Sequence, residues 1–309
     1  MSTRGGGASG EVGLVVVGNP EAGSHDESAI ESACAVWRDA GHEVDVVATT
    51  TPDDLADVIA DLDGRVLVAA GGDGSIHAVV QALFDADACA DVVVGLLPMG
   101  TGNDLARGIG LPLEPEPAAR ALLDGTPHPM DLLVDQDGMV AVNAVNLGIG
   151  AVASQRASRL KSAMGPAAYP AGALGAGITE PGWDLTIEVD GRDLVHDTTV
   201  LHVVVGNGPS VGGGTAAAPD ADLEDAAVDV VVSLATGGIA RIAYATALQQ
   251  GRHTDRDDVV TGRGSRIVIS GEEHPYNVDG ELPDPRSRSE WRLMPHAWRL
   301  RHPGATPDL

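Results

Sequence analysis

The sequence predicts an α/β domain with a mainly parallel sheet, followed by a second, β-rich domain. Over its first part, short apolar runs alternate with helical stretches of about 10 to 15 residues, the signature of βαβ units. Beyond residue 127, strand-like runs follow one another through Gly/Asp/Pro turns. The 309 residues also exceed one small domain, at about 100 to 200 residues per domain.

Residues 12–18 form a continuous apolar run ending in Asn19-Pro20, a buried strand stopped by a turn. Ser24 before Asp26 and Glu27 reads as an N-cap with acids in the first turn, opening a helix to about Ala40. A strand at 43–48 follows, then a helix opened by Thr51-Pro52-Asp53-Asp54 and running to Leu62. An apolar strand at 65–70 runs into GGDGS and a helix to Phe84; a strand at 91–97 is broken by Pro98. After the Pro-rich stretch at 112–117 comes a helix near 117–124. Strands are then expected at 129–135, 139–146, 183–190, 197–206, 226–234, 265–270 and 275–279, with helices near 152–165 and 237–250. The domains therefore read as a flexible head at 1–10, an α/β domain at 11–126, a β-rich domain at 127–285 and a C-terminal segment at 286–309.

With 43% hydrophobic and 21% charged residues the chain can bury a sizeable core. Its 45 acidic and 19 basic residues give a formal charge of −26, which argues against a nucleic-acid partner, since phosphate binding needs Lys/Arg stripes. Lys161 is the single lysine; with the acid excess and 3% aromatics it reads as adaptation to a salt-loaded cytoplasm. No run reaches the roughly 18 apolar residues of a membrane span, and no secretory leader is evident at the N-terminus. Cys34 and Cys89 sit in apolar patterns and read as buried thiols, not as a disulfide or a zinc site.

GGDGS at 71–75 follows a strand and opens a helix, so backbone N–H groups and the helix dipole face an anion that the glycines let approach closely. Taken alone, it could equally be a tight structural turn. It is not a Walker loop, so any phosphate there must be neutralised by a divalent cation and backbone dipoles. Asp73 is placed to hold that cation, or else to cap the turn. PMGTGNDLAR at 98–107 recurs after the next strand, so both loops converge at the carboxyl ends of the sheet, where open α/β sheets bind ligands. There Thr101 and Asn103 offer hydrogen bonds, Asp104 a second carboxylate and Arg107 a phosphate clamp; the alternative is an Asn/Asp helix cap with a solvated Arg. VDGE at 278–281 by itself reads as a polar hairpin turn, and His202, Tyr169 and Trp183 read as packing residues. Gly212 to Gly214 could be a flexible loop or part of a site.

Asn19-Pro20, GGDGS, PMGTGNDLAR, GNGPSVGGG with PDADLEDAAVD between 206 and 229, and NVDGE at 277–281 resemble, in this order, the diacylglycerol kinase catalytic-domain family. Bacterial soluble lipid kinases look most similar, with sphingosine and NAD kinases as relatives. LKSAMGPAAY at 160–169 and GRHT at 251–254 extend a likeness that spans about residues 12–302.

The resemblance implies an α/β nucleotide-binding domain, a β-sandwich-like second domain, a cleft between them, and a chain end that returns to the first domain. It implies an ATP site at Asn19, Pro20, Glu21, Ala22, Gly23, Thr49, Gly71, Gly72, Asp73, Gly74, Ser75, Ile76, His77, Thr101 and Asn103. It implies a structural Mg²⁺ at Asp222, Asp225 and Ala227, and Glu281 as proton acceptor with Asp279 beside it; on that reading Asp73 and Asp104 are assigned to organise a catalytic Mg²⁺ through water. The sequence departs from the family at Ser75-Ile76-His77-Ala78, usually Thr-Leu-Asn-Glu, and at Asp225-Ala226, usually Asp-Gly. His77 is expected on the helix surface or behind the site. The implied activity is ATP- and Mg²⁺-dependent phosphorylation of a lipid hydroxyl, diacylglycerol-like or, in a salt-loaded archaeal host, an isoprenoid glycerol ether. The partner would be a lipid at the membrane surface, the location cytoplasmic or peripheral to the inner membrane face, and a homodimer is left open. An NAD kinase-like enzyme and a non-catalytic nucleotide sensor are the alternatives.

Overall fold

The computed structural model describes residues 13–23, 25–152 and 181–304. Ser24, the Gly/Ser head, most of the helix expected at 152–165, Lys161, Tyr169 and the 160–169 motif lie outside them. The first domain runs β1 (Leu14–Gly18), α1 (Glu27–Asp39), β2 (Val44–Ala48), α2 (Pro52–Ala60), β3 (Val66–Gly71), α3 (Asp73–Asp85), β4 (Val93–Pro98), α4 (Asp104–Gly108) and α5 (Pro115–Asp124). Its strands are parallel in the order β2-β1-β3-β4. Alternation along β1 builds both layers: Leu14 and Val16 pack with α1 and α5, Val15 and Val17 with α2 and α3. The cap of α1 is Asp26 rather than Ser24; its carboxylate accepts the N–H of Ser28 at 2.9 Å and of Ala29 at 3.1 Å. Thr51 and Asp54 close a capping box on α2.

The second part contains β5 (Thr126–Asp135), β6 (Val140–Ala141), β7 (Ala144–Gly148), β8 (Trp183–Val189), β9 (Arg192–Val200), β10 (His202–Gly206), β11 (Ser210–Val211), β12 (Thr215–Ala216), β13 (Val228–Ser233), α6 (Gly238–Gln249), β14 (Val259–Gly264), β15 (Arg266–His274), β16 (Tyr276–Val278) and β17 (Arg286–His302). One antiparallel sheet, β14-β13-β10-β7-β16, faces the layer that contains β15, β8 and β9. Val145, Val203, Val205, Val230 and Val232 of the first meet Leu185, Ile187, Ile267, Ile269 and Trp291 of the second. This is a sandwich.

The 17-residue β17 joins the two parts. It pairs antiparallel with β15 and with β5, and parallel with β4 at Arg299 and Leu300. Trp298 and Leu300 thereby enter the core of the α/β domain, while Trp291 and Leu293 enter the sandwich.

Two expected strands are divided. The run at 197–206 breaks at Leu201, so β9 stays in one sheet and β10 crosses to the other. The run at 139–146 breaks at Val142 and Asn143, whose N–H groups leave the ladder for Asp279. β14 and β17 were not expected from the pattern: β14 is Gly/Thr-rich and half-exposed, and β17 carries charges and Pro295 along its length.

Candidate active site

The strand order reverses between β2 and β3 around β1, which opens a crevice at the carboxyl ends of the parallel strands. Asn19 to Gly23, Thr49, Gly71 to Ser75 and Gly100 to Asn103 follow those ends directly. Asn19 shapes its own loop by accepting the Glu21 N–H at 2.8 Å; Pro20, Glu21 and Gly23 are exposed, Ala22 is half-buried, and Thr49 is buried. A Cβ on Gly23 would meet nothing within 4 Å, so the space there is open.

The two glycine loops are built against each other. A Cβ on Gly72 would come within 2.9 Å of the Gly100 Cα, and one on Gly71 would collide with Ser75. Asn103 adopts a left-handed conformation, φ 52°, and its amide accepts the Gly100 N–H and donates to the Gly100 carbonyl, both at 2.8 Å. Its side chain therefore clamps the loop, while Thr101 stands exposed. Ile76 turns into the core. The 13-residue α3 begins at Asp73 without a side-chain cap, leaving its N-terminus as the positive end of the crevice.

Asp73, His77 and Gln81 recur at intervals of four on α3, one face turned toward the second domain. Burial, then the neighbouring Asp104 carboxylate, push Asp73 up to about 6. The Leu105 N–H donates to it at 3.3 Å. His77 is buried, with Nδ1 3.1 Å from Asp279 Oδ2. Gln81 donates to the Gly138 carbonyl at 3.0 Å and accepts the Val140 N–H at 2.9 Å. Of its two expected places, the helix surface or behind the site, His77 takes the second.

Asp279 and Gly280, with φ of 49° and 105°, form the two-residue turn of a tight hairpin between Val278 and Glu281. The Asp279 carboxylate accepts the N–H groups of Val142 at 2.6 Å, Asn143 at 3.0 Å and Ala144 at 2.9 Å. That fixes the hairpin so that exposed Glu281 overhangs α3, its Oε1 4.0 Å from where a Cβ on Gly74 would stand.

The Asp104 carboxylate, expected to organise a metal, spans the cleft. It accepts the N–H groups of Gly214 at 2.7 Å and Gly213 at 3.0 Å and the Ser210 hydroxyl at 3.2 Å. Gly212 to Gly214 form the far side of this latch, all with positive φ. Asn207 and Ser210 fall in the GNGPSVGGG motif but were given no role by it, and Asn143 escapes sequence reading. The Asn143 amide donates to the Ser210 carbonyl at 2.6 Å, and Asn207 donates to the Asp131 and Val142 carbonyls at 3.1 and 2.7 Å. The one sequence signal of Asn143 is its place in a short polar interruption of an apolar strand.

At the expected structural metal loop, Asp222 accepts the Glu224 N–H at 3.0 Å, and Asp225 accepts the Ala227 N–H at 3.1 Å and pairs with Arg263. Both Asp225 oxygens are thus engaged, so this donor set does not fit an ion while Arg263 stays in place. By contrast, the buried Asp73 carboxylate lies beside that of Asp104, two like charges whose mutual repulsion a divalent ion would relieve. His202, in β10, is a packing residue: its Nδ1 lies 2.9 Å from the Tyr244 hydroxyl and burial, then nearby His253, push it down to about 4.

An α/β domain with two glycine loops at its strand ends, closed over by a β-sandwich across an acidic cleft, has the architecture of a two-domain kinase. The chain belongs to the diacylglycerol kinase catalytic-domain family: residues 13–134 match the diacylglycerol kinase catalytic domain and residues 143–301 the YegS C-terminal NAD kinase beta sandwich-like domain. A probable lipid kinase of the YegS-like type from Stenotrophomonas maltophilia is 30% identical, over 94% of this chain and 96% of that protein. A diacylglycerol kinase of Bacillus subtilis is 28% identical, over 79% and 81%. A crystal structure described as a diacylglycerol kinase from Bacillus anthracis shares the fold, with TM-score 0.75 at 19% identity over 96% of this chain and 98% of that one.

Proposed function

We propose that the protein transfers the γ-phosphoryl group of ATP to the hydroxyl of a lipid, with Mg²⁺ as the metal. The observation that carries this reading is Glu281, an exposed carboxylate over the glycine-lined start of α3. In such a transfer, positioning and charge neutralisation supply most of the acceleration. The α3 N-terminus and the Gly71 to Ser75 backbone bind the phosphates, and Asp73 holds the cation. When bound, Mg²⁺ neutralises charge on the transferring group. Glu281 accepts the proton of the attacking hydroxyl, and Asp279 keeps the hairpin in register. A lipid acceptor is supported by the names of the relatives, and by α6, where Ile239 and Ile242 stand 87% and 63% exposed. Among the described residues no helix is long and apolar enough to cross a membrane; contact with a lipid surface would be peripheral.

The test is labelled phosphate transfer from ATP offered with lipid extract, NAD and water together. Label in the lipid fraction, dependent on Mg²⁺ and lowered at least ~10²-fold by Glu281→Gln with the melting temperature retained, is the expected outcome. Label in NAD would favour the NAD kinase-like enzyme, and binding of ATP without transfer a sensor.

A further inference from the structure

His128, Glu224 and His302 come from three separate stretches of chain and converge. His128 lies near the start of β5 and His302 ends β17; the antiparallel register sets Leu300 opposite His128 and Thr126 opposite His302. The two rings stack with centroids 4.1 Å apart. Glu224 reaches them from the loop before β13, which Asp131 fastens through the Leu223 carbonyl at 2.8 Å and the Ala226 N–H at 2.7 Å. His302 Nε2 lies 3.2 Å from Glu224 Oε1, and His128 Nδ1 lies 3.6 Å from Glu224 Oε2. All three ligand atoms fall within 4.8 Å of one another.

His302 is only 1% exposed, and its Nε2 makes no hydrogen bond although Glu224 Oε1 lies 3.2 Å away. A buried polar atom aimed at two other donors and bonded to neither calls for a partner. Two imidazoles and a carboxylate are the donor set of zinc-class ions rather than of Mg²⁺. Metal–ligand bonds of about 2.0 to 2.2 Å place tetrahedral ligand atoms roughly 3.3 Å apart; the 3.2 Å between His302 Nε2 and Glu224 Oε1 already matches, and the whole set lies within 4.8 Å. Thr126 Oγ1, 3.3 Å from His128 Nε2, orients the more accessible ring.

We propose that His128, Glu224 and His302 bind a zinc-class divalent cation that ties the start of β5, the end of β17 and the loop before β13 together. Asp222 and Asp225 take no part. Coordination through Nε2 leaves the His302 ring proton on Nδ1, so the Gly304 N–H, now 3.1 Å from that atom, turns away on binding.

The experiment uses untagged full-length protein, stripped by a chelator and titrated in KCl buffer with Co²⁺, Zn²⁺ and Mg²⁺ separately. One equivalent of Co²⁺ gives the visible absorption of a four-coordinate ion, Zn²⁺ abolishes it, and saturating Zn²⁺ raises the melting temperature by about 5 °C while equal Mg²⁺ does not. His128→Gln, at a partly exposed position, retains the metal-free melting temperature and weakens Zn²⁺ binding at least about 100-fold, more than loss of an outer-shell partner. Glu224→Gln behaves alike, and Asp225→Ala keeps the response. Absence of the cobalt spectrum in wild-type protein, or a spectrum and melting shift that survive in both His128→Gln and Glu224→Gln, overturns the site.

Discussion

His77 Nδ1 sits 3.1 Å from Asp279 Oδ2, joining residues 202 positions apart across the cleft. Burial draws the imidazole down, but the Asp279 hydrogen bond and the charges of Asp279 and Glu281 outweigh it, and the net shift is upward from 6.5. A raised folded value means that the pair's stabilisation is full below 6.5 and is lost as pH rises through the folded value. Melting temperature should therefore fall as pH increases above 6.5, and His77→Gln should flatten that slope. Equal slopes in the two proteins, measured by calorimetry, would remove the pair as a source of stability.

Asp73 is also raised, to about 6, chiefly by burial and by Asp104. Its neutral form is favoured in the folded protein, so the contribution present below 3.8 is lost as pH climbs through about 6. At neutral pH the ionised group opposes folding by an amount on the order of 2 to 3 kcal/mol. Asp73→Asn should raise the melting temperature of metal-free protein at pH 7 and lower kcat at least ~10²-fold. Destabilisation at pH 7 would contradict the electrostatic reading.

Ala226 occupies the left-handed region at φ 59°, where the family's glycine would rest without strain. Its N–H is held by Asp131 at 2.7 Å, which keeps the turn in place. Ala226→Gly relieves about 1 kcal/mol of backbone strain, offset in part by the added freedom of the unfolded chain. Denaturant titration should show a small gain in midpoint with an unchanged slope; a loss would mean that the turn is not strained.

The charge of −26 bears on the proposed reaction at a lipid surface. At low ionic strength the protein repels itself and anionic membranes, whereas near 1 M salt the Debye length is about 3 Å and both repulsions are screened. Turnover on anionic vesicles should rise with KCl. The ATP KM should change little, since backbone amides rather than lysines meet the phosphates. Maximal turnover at the lowest salt, with folded protein, would refute adaptation to salt.

The βα units, the glycine loops and the VDGE hairpin were legible because their signals are local: an apolar period, a cap, a turn residue. What escaped depends on distance. Asp104 meets Gly214 over 110 positions, and nothing beside Asp104 distinguishes a metal ligand from a domain latch. Asp225, in the loop before β13, is paired with Arg263 of β14. Leu201 is as apolar as its neighbours, so the pattern could not tell that the chain changes sheets there. Asn103 was read as a ligand contact because an amide can serve either purpose; only the loop conformation shows that both its ends are bound to Gly100.

β17 follows every other described strand in the chain, yet Trp298 and Leu300 are wholly buried in the first domain. During synthesis the α/β half must leave the ribosome with that part of its core missing and the exposed edge of β4 unpaired. It reaches its final packing only after the sandwich residues have emerged and the last strand has threaded back. The two halves therefore mature together, and a nascent chain stalled before residue 286 remains a client for chaperones rather than a finished nucleotide-binding domain.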